Sequence, residues 1–183
     1  EAVYTRITEE DVSTLKGLDD FSRVGEYYML AVEPAKQGYN ASYIYCDEET
    51  MYIARDQMKL LEGRLPQKED EVAVSRYFLS NYGADAGIGE KVMLNSESFH
   101  GEYTVTGILE GYKEKEVNGS SILLSKEALK GWSGYDPADY RAYVHFKNEQ
   151  QMDETELTAR SREIAKEYQL EMPIMNLSYM KFD

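Results

Sequence analysis

Leu60-Leu61-Glu62-Gly63-Arg64-Leu65-Pro66 is followed closely by Glu69-Asp70-Glu71-Val72-Ala73-Val74-Ser75. Further on stand Ile88-Gly89-Glu90-Lys91-Val92 and Tyr103-Thr104-Val105-Thr106-Gly107-Ile108-Leu109. Short aliphatic runs bounded by Gly and Pro read as short strands joined by defined turns. Gly63 and Gly89 supply turn conformations closed to other residues. Pro66 stiffens the turn ahead of a strand that Glu71 opens and Ser75 ends. Gly107, inside a strand pattern, predicts a bulge or a close backbone approach.

Outward from this stretch, residues 34–137 alternate short strands with turn residues. Strands are expected at 42–46, 51–54, 71–74, 91–94, 103–110 and 121–124. Helices are expected at 76–82 and 126–130, with Gly83 and Gly131 as their stops. The two ends of the chain differ from this middle. Residues 2–7 read as a strand. Thr8 reads as a helix cap, with Asp11 three residues on, close to a capping box, and Gly17 as a left-handed stop. Residues 24–33 read as a buried strand. Near the other end, Ala142, Val144 and Phe146 alternate with polar residues over 140–147, the period of a half-buried strand. A helix starting at about Glu149 or Asp153, the latter a capped start, runs to about residue 168 on a stripe of Leu157, Ile164, Ala165 and Tyr168. A last strand is expected at 170–175, with Pro173 placing it at an edge or ending it early. The pattern is an α+β chain: a βαβ…βαβ frame holding a β-rich insertion.

The 183 residues carry 34 Asp and Glu against 20 Lys and Arg, a net charge of −14. That balance argues against nucleic acid as a partner, because phosphate contacts need clustered cations. The longest apolar run, residues 27–32, is far short of the roughly 20 residues of a membrane helix. No basic and apolar leader opens the chain. Its first residue is Glu1 rather than Met, which reads as a piece of something longer or as a processed chain.

No catalytic, cofactor or metal constellation emerges. The acids cluster at 9–11, 47–49, 69–71 and 153–156 without the spacing of a calcium loop, and read as solvated turns and helix starts. The single Cys46 reads as a small core residue. His100 and His145 read as surface residues. Ser75, Ser120 and Ser121 lie outside any nucleophile elbow, so a hydrolase built on Ser75 or on Glu69 with Glu71 is disfavoured. Gly83, Gly87 and Gly89 do not form a phosphate loop. The composition is unusual in one respect: 16 Tyr against 5 Phe and 1 Trp. Tyr27, Tyr28, Tyr39, Tyr43, Tyr45 and Tyr52 crowd one region and offer a candidate binding face for peptide or glycan. Strand propensity is the competing account of the same residues.

The four ordered stretches resemble the MacB-type periplasmic core domain, the extracytoplasmic domain of FtsX-like ABC transporter permeases. Members of that family carry a Gly-Arg-x-Pro turn, here Gly63, Arg64 and Pro66. An acid-led strand ending in Ser follows, here Glu71 to Ser75. Next come an Ile-Gly-Asp/Glu-x-Val turn, here with Gly89, and a strand ending Val-x-Gly-Ile, here with Gly107. The resemblance covers about 50 residues. It implies a porter-like lobe of split βαβ units, residues 1–33 and 140–176, with a smaller β-rich lobe inserted at 34–139. Residues 177–183 would then be a linker toward a membrane helix. It further implies a non-enzymatic loop domain without cofactor, outside a bacterial plasma membrane. Its partners would be the parent chain's transmembrane helices, a cognate cytoplasmic ATPase, and an accessory protein or a peptide or lipid-like substrate. The alternative is a free secreted ligand-binding module that uses the Tyr-rich face. Residues 113–118 match no part of the family pattern.

Overall fold

The structure, a computed structural model, describes residues 1–36, 38–82 and 84–175. The chain opens with strand β1 (Ala2–Ile7), helix α1 (Glu9–Lys16) and the long strand β2 (Phe21–Lys36). Then come β3 (Tyr39–Cys46), α2 (Glu48–Ile53), β4 (Met58–Gly63), β5 (Glu71–Ser75) and α3 (Arg76–Tyr82). These are followed by β6 (Lys91–Asn95), β7 (His100–Gly111), α4 (Glu114–Val117), β8 (Gly119–Leu124) and α5 (Lys126–Gly131). The chain returns through β9 (Tyr140–Phe146), a 3-10 turn at Glu149–Gln151, α6 (Glu154–Glu167) and β10 (Ile174–Met175). Two compact units result: Glu1–Tyr28 with Asp136–Asp183, and Met29–Tyr135.

In the first unit the strand order is β10-β1-β9-β2, with each neighbouring pair antiparallel. Each βαβ therefore skips one strand, and the skipped strand belongs to the other βαβ. This interleaving defines split βαβ units. Thr8 accepts the Asp11 amide and Asp11 accepts the Thr8 amide, so the expected capping box starts α1. Asp153 caps α6 by accepting the Glu156 amide. Alternate residues Tyr140, Ala142, Val144 and Phe146 of β9 are buried, as are Leu157, Ser161, Ile164 and Ala165 of α6. Asp20 and Arg160 add a two-bond ion pair, Nε to Oδ2 at 2.7 Å and Nη2 to Oδ1 at 2.9 Å. The guanidinium holds the Asp20 carboxyl below its ordinary range.

The second unit, expected as the smaller lobe, is the longer of the two in residues. Its strand order runs from β2 through β3, β8, β5 and β7 to β4, with β6 also paired to β7. The pairings are mixed: β3 with β8 and β5 with β7 are parallel, whereas β5–β8, β4–β7 and β6–β7 are antiparallel. Strand β5 lies between two strands, and all five of its residues are buried.

Several local expectations need correction. Residues 51–53 are helical rather than extended, and Ala54 is the C-cap of that helix. The Asp47 carboxylate accepts the Thr50 amide and hydroxyl, and Glu48 and Glu49 occupy the first turn, so capping overrides the strand propensity of Met51, Tyr52 and Ile53. The strand of this region is β4 instead. Gly17 ends α1 at φ −81°, right-handed rather than left-handed. Gly131 is the last helical residue of α5, and the cap is Trp132. Among the described residues the final strand is Ile174–Met175, shorter at its start than the expected 170–175. Gly83, expected as the stop of α3, and the expected linker at 177–183 lie outside the described residues.

Candidate functional site

The four ordered motifs converge on one clasp in the second unit. Gly63 closes β4 at φ +76°, where a Cβ would stand 2.1 Å from the Thr106 carbonyl oxygen and 2.7 Å from Ile88 Cδ1. The next residue, Arg64, is held by reciprocal bonds to β7. Its amide donates to Thr106 O at 2.9 Å, and the Thr106 hydroxyl donates to Arg64 O at 3.0 Å. The guanidinium grips Glu71 at two points, Nη1 to Oε1 at 3.0 Å and Nη2 to Oε2 at 2.7 Å. Glu71 Oε1 also accepts the amides of Gln67 and Lys68, so its carboxylate ties down the turn through Pro66. These donors, the guanidinium first, hold the Glu71 pKa at about 2.

Gly107 faces the same knot, since a Cβ there would lie 2.6 Å from Arg64 O. The bulge it signalled is real: Val72 pairs with Val105 and Ala73 with Gly107, leaving Thr106 as the extra residue. Gly89, at φ +86°, donates its amide to Val105 O at 2.8 Å. Gly63, Arg64, Pro66, Glu71, Gly89 and Gly107 thus form one structural knot. Thr106 and Ile88 complete it without having been singled out in the sequence.

Ser75 belongs to a second cluster. Its Oγ accepts the Phe78 amide, which caps α3, and donates to Glu114 Oε2 at 2.6 Å. The Ser120 hydroxyl donates to the same oxygen, and Glu114 Oε1 accepts the Gly111 amide at 2.9 Å. Tyr39 joins through its hydroxyl to Ser120, and burial pushes its pKa up to about 12. Glu114 gave no signal in the sequence, since residues 113–118 match no part of the family pattern.

The Tyr-rich region divides sharply. Tyr28, Tyr39 and Tyr43 are at most 1% exposed, which takes them away from any face. Each hydroxyl has a partner: Tyr28 accepts the Asp136 amide, Tyr39 meets Ser120 and Tyr43 meets Ser96. Tyr4, also fully buried, donates to Ser161 O at 2.8 Å. Tyr4, Tyr28, Tyr39, Tyr43 and Tyr140 serve the core, where a ring fills volume and its hydroxyl can satisfy a buried polar atom, while the other described tyrosines are half-buried or exposed. Tyr27 and Tyr45 are half-buried, and Tyr52 is 49% exposed with the Arg55 guanidinium over its ring.

The remaining candidates are placed plainly. Cys46 is buried, and burial pushes its thiol pKa up. His100 is exposed at the start of β7. It lines an open cleft of about 690 Å³ with the carboxylates of Glu69, Asp70, Glu102 and Glu127. His145 is 45% exposed and meets the Ser22 hydroxyl. Acids of the clusters at 9–11, 47–49 and 153–156 cap or open α1, α2 and α6. Among the described residues no three His, Cys, Asp or Glu side chains converge as metal ligands.

No family model matches the chain, and no curated protein sequence matches it. Solved structures do. The extracellular domain of the noncanonic ABC-type transporter YknZ from Gram-positive bacteria aligns with a TM-score of 0.63 at 16% identity, over 96% of this chain and 98% of that one. The periplasmic region of MacB from Actinobacillus actinomycetemcomitans aligns with a TM-score of 0.65 at 12% identity, over 98% of this chain and 89% of that one. A permease-protein domain from Porphyromonas gingivalis gives 0.59 at 14%, over 91% and 82%. At these identities the likeness concerns architecture: this chain has the fold of the periplasmic domain of MacB.

Proposed function

We propose that the chain is the extracytoplasmic domain of an ABC transporter permease, without catalytic activity of its own. The observation that carries this reading is the nearly end-to-end match to the extracellular domain of YknZ, 96% of one chain on 98% of the other. The Arg64–Glu71 knot supports it, because it assembles the motif residues that carry the family resemblance into one interlocked turn. In this role the domain contacts substrate or an accessory protein outside the membrane. ATP-driven movement of a cytoplasmic partner reaches it through transmembrane helices of the parent chain. No helix among the described residues is long and apolar enough to cross a membrane. The rival reading, a secreted module with a tyrosine face, loses three of its six rings to the core.

The test is the parent gene. An apolar span of about 20 residues is expected on each side of this chain, with a gene for a phosphate-loop ATPase nearby. Polar flanks on both sides overturn the proposal.

A further inference from the structure

Helix α4 is a four-residue strap of unusual construction. It is entered through Lys113 at φ 55° and left through Asn118 at φ 48°, both left-handed and neither a glycine. None of its residues is buried, and Val117 is 66% exposed. Such conformations persist where the surroundings over-determine them. Here a major anchor is one side chain, the Glu114 carboxylate, held by the Gly111 amide and the Ser75 and Ser120 hydroxyls.

Open space lies on both sides of this anchor. One cleft, of about 310 Å³, is lined by Asn40, Ser42 and Ser121 as well as Glu114. The other, of about 400 Å³, is lined by Arg76, Lys113 and Lys115 against Glu110 and Glu116. Gly111 and Glu114 line both clefts. The donors converge on a carboxylate, and Ser75 and Ser120 are at most 4% exposed. Three donors on one carboxylate form an anion receptor, and charge-assisted bonds of this kind are the strong ones.

We propose that Glu114 is a stand-in ligand. The Gly111 amide with the Ser75 and Ser120 hydroxyls is a carboxylate-binding site that α4 fills from within the chain. When α4 lifts, the two clefts join, and an external carboxylate takes the vacated place. The ligand class is a carboxylate, free or carried on a peptide.

The experiment uses Glu114→Ala in this domain, titrated with sodium acetate against sodium chloride at equal ionic strength. Hydrogen exchange at the Gly111 amide is the readout. Acetate restores protection saturably and chloride does not. Adding Ser120→Ala weakens the acetate midpoint about tenfold, the worth of one hydrogen bond to a charged group. A blocked peptide with a single Glu, compared with its Gln counterpart, separates the two sources. Tighter binding than acetate assigns the site to a peptide chain, and equal binding assigns it to a small acid. Should Glu114→Ala fail to fold, Glu114→Gln keeps the side-chain shape and a Gly111 acceptor. Acetate then displaces the weakened latch and speeds exchange at the Val117 amide, which donates to Lys113 O in the closed strap. The absence of a saturable, acetate-specific response in the folded variant overturns the site, as does an acetate midpoint indifferent to Ser120.

Discussion

Arg64 and Glu71 face each other across the Pro66 turn with two parallel hydrogen bonds, at 3.0 and 2.7 Å. The pair is asymmetric: the Glu71 side chain is 8% exposed and the Arg64 side chain 47%. The buried partner therefore organises the turn, and the exposed one neutralises it. Replacing Glu71 with Gln removes the ion pair and leaves an amide nitrogen where an acceptor stood. Loss of bonds to a charged acceptor is expected to destabilise the domain by about 1–3 kcal/mol. Urea unfolding of Glu71→Gln beside the parent measures it, and an unchanged midpoint contradicts the role given to Glu71.

The same pair sets an acid limit on stability. Glu71 has its pKa lowered to about 2 in the folded domain, against an ordinary glutamate value of about 4.3. A lowered carboxylate contributes its stability above the unfolded pKa and loses it as pH falls toward the folded one. Stability should therefore decline between about pH 5 and pH 2. In Glu71→Gln that part of the decline should be missing, which thermal melts across the acid range would reveal.

Gly63 and Gly107 pair across β4 and β7, and each approaches the Arg64–Thr106 backbone too closely for a side chain. Gly63→Ala adds a Cβ 2.1 Å from a carbonyl oxygen at φ +76°, so clash and strain act together. Gly107→Ala meets backbone at 2.6 Å at a residue outside the left-handed region, so clash acts alone. Both should destabilise, Gly63→Ala the more, by about 2 kcal/mol or beyond. Gly89→Ala is the control. It has a positive φ but open space around the Cβ, and should cost about 1 kcal/mol. An order other than Gly63, Gly107, Gly89 in denaturant midpoints contradicts the geometry.

Tyr43→Phe tests the account of the tyrosine excess. The ring is fully buried, packs on Phe99 at 4.6 Å between centroids, and its hydroxyl meets Ser96, which is itself 2% exposed. Phe keeps the ring contact and orphans the serine. About 1–2 kcal/mol of destabilisation is expected from the unsatisfied hydroxyl, and Ser96→Ala on top of Tyr43→Phe should recover part of it. Additive losses in this double-mutant cycle would mean that the two hydroxyls do not interact.

Legibility followed the physics of each element. The two βαβ units were readable because their signals are local and strong: the Thr8–Asp11 box, the Asp153 cap and the alternation of β9; their interleaving came only with the family resemblance. The motif turns were readable as turns, since Gly63 and Gly89 need positive φ, and Gly107 announced the bulge at Thr106. What could not be read was pairing across sequence distance. Nothing in the local sequence says that Arg64 reaches Glu71, or that Glu114 reaches back to Ser75. The buried tyrosines misled for the same reason. A Tyr in a strand looks alike whether its hydroxyl meets water or Ser96, and only the three-dimensional partner decides.

The alkaline limit follows from those partners. Burial pushes the Tyr39 pKa up to about 12, and Tyr4 and Tyr43 are also raised by burial. An unfolded tyrosine ionises near pH 10. A group with a raised folded pKa contributes its stability fully below the unfolded pKa and loses it as pH rises through the folded one. Each of these tyrosines must therefore stay neutral at a growing cost above about pH 10, and the costs add because unfolding releases them together. The domain should unfold cooperatively in that range. Tyrosinate absorbance should rise in step with loss of the helical circular-dichroism signal. Tyr43→Phe removes one raised group, so the alkaline part of its pH profile should be shallower than the parent's, although the variant is less stable at neutral pH. A profile of unchanged slope would show that Tyr43 is not among the groups that set the limit.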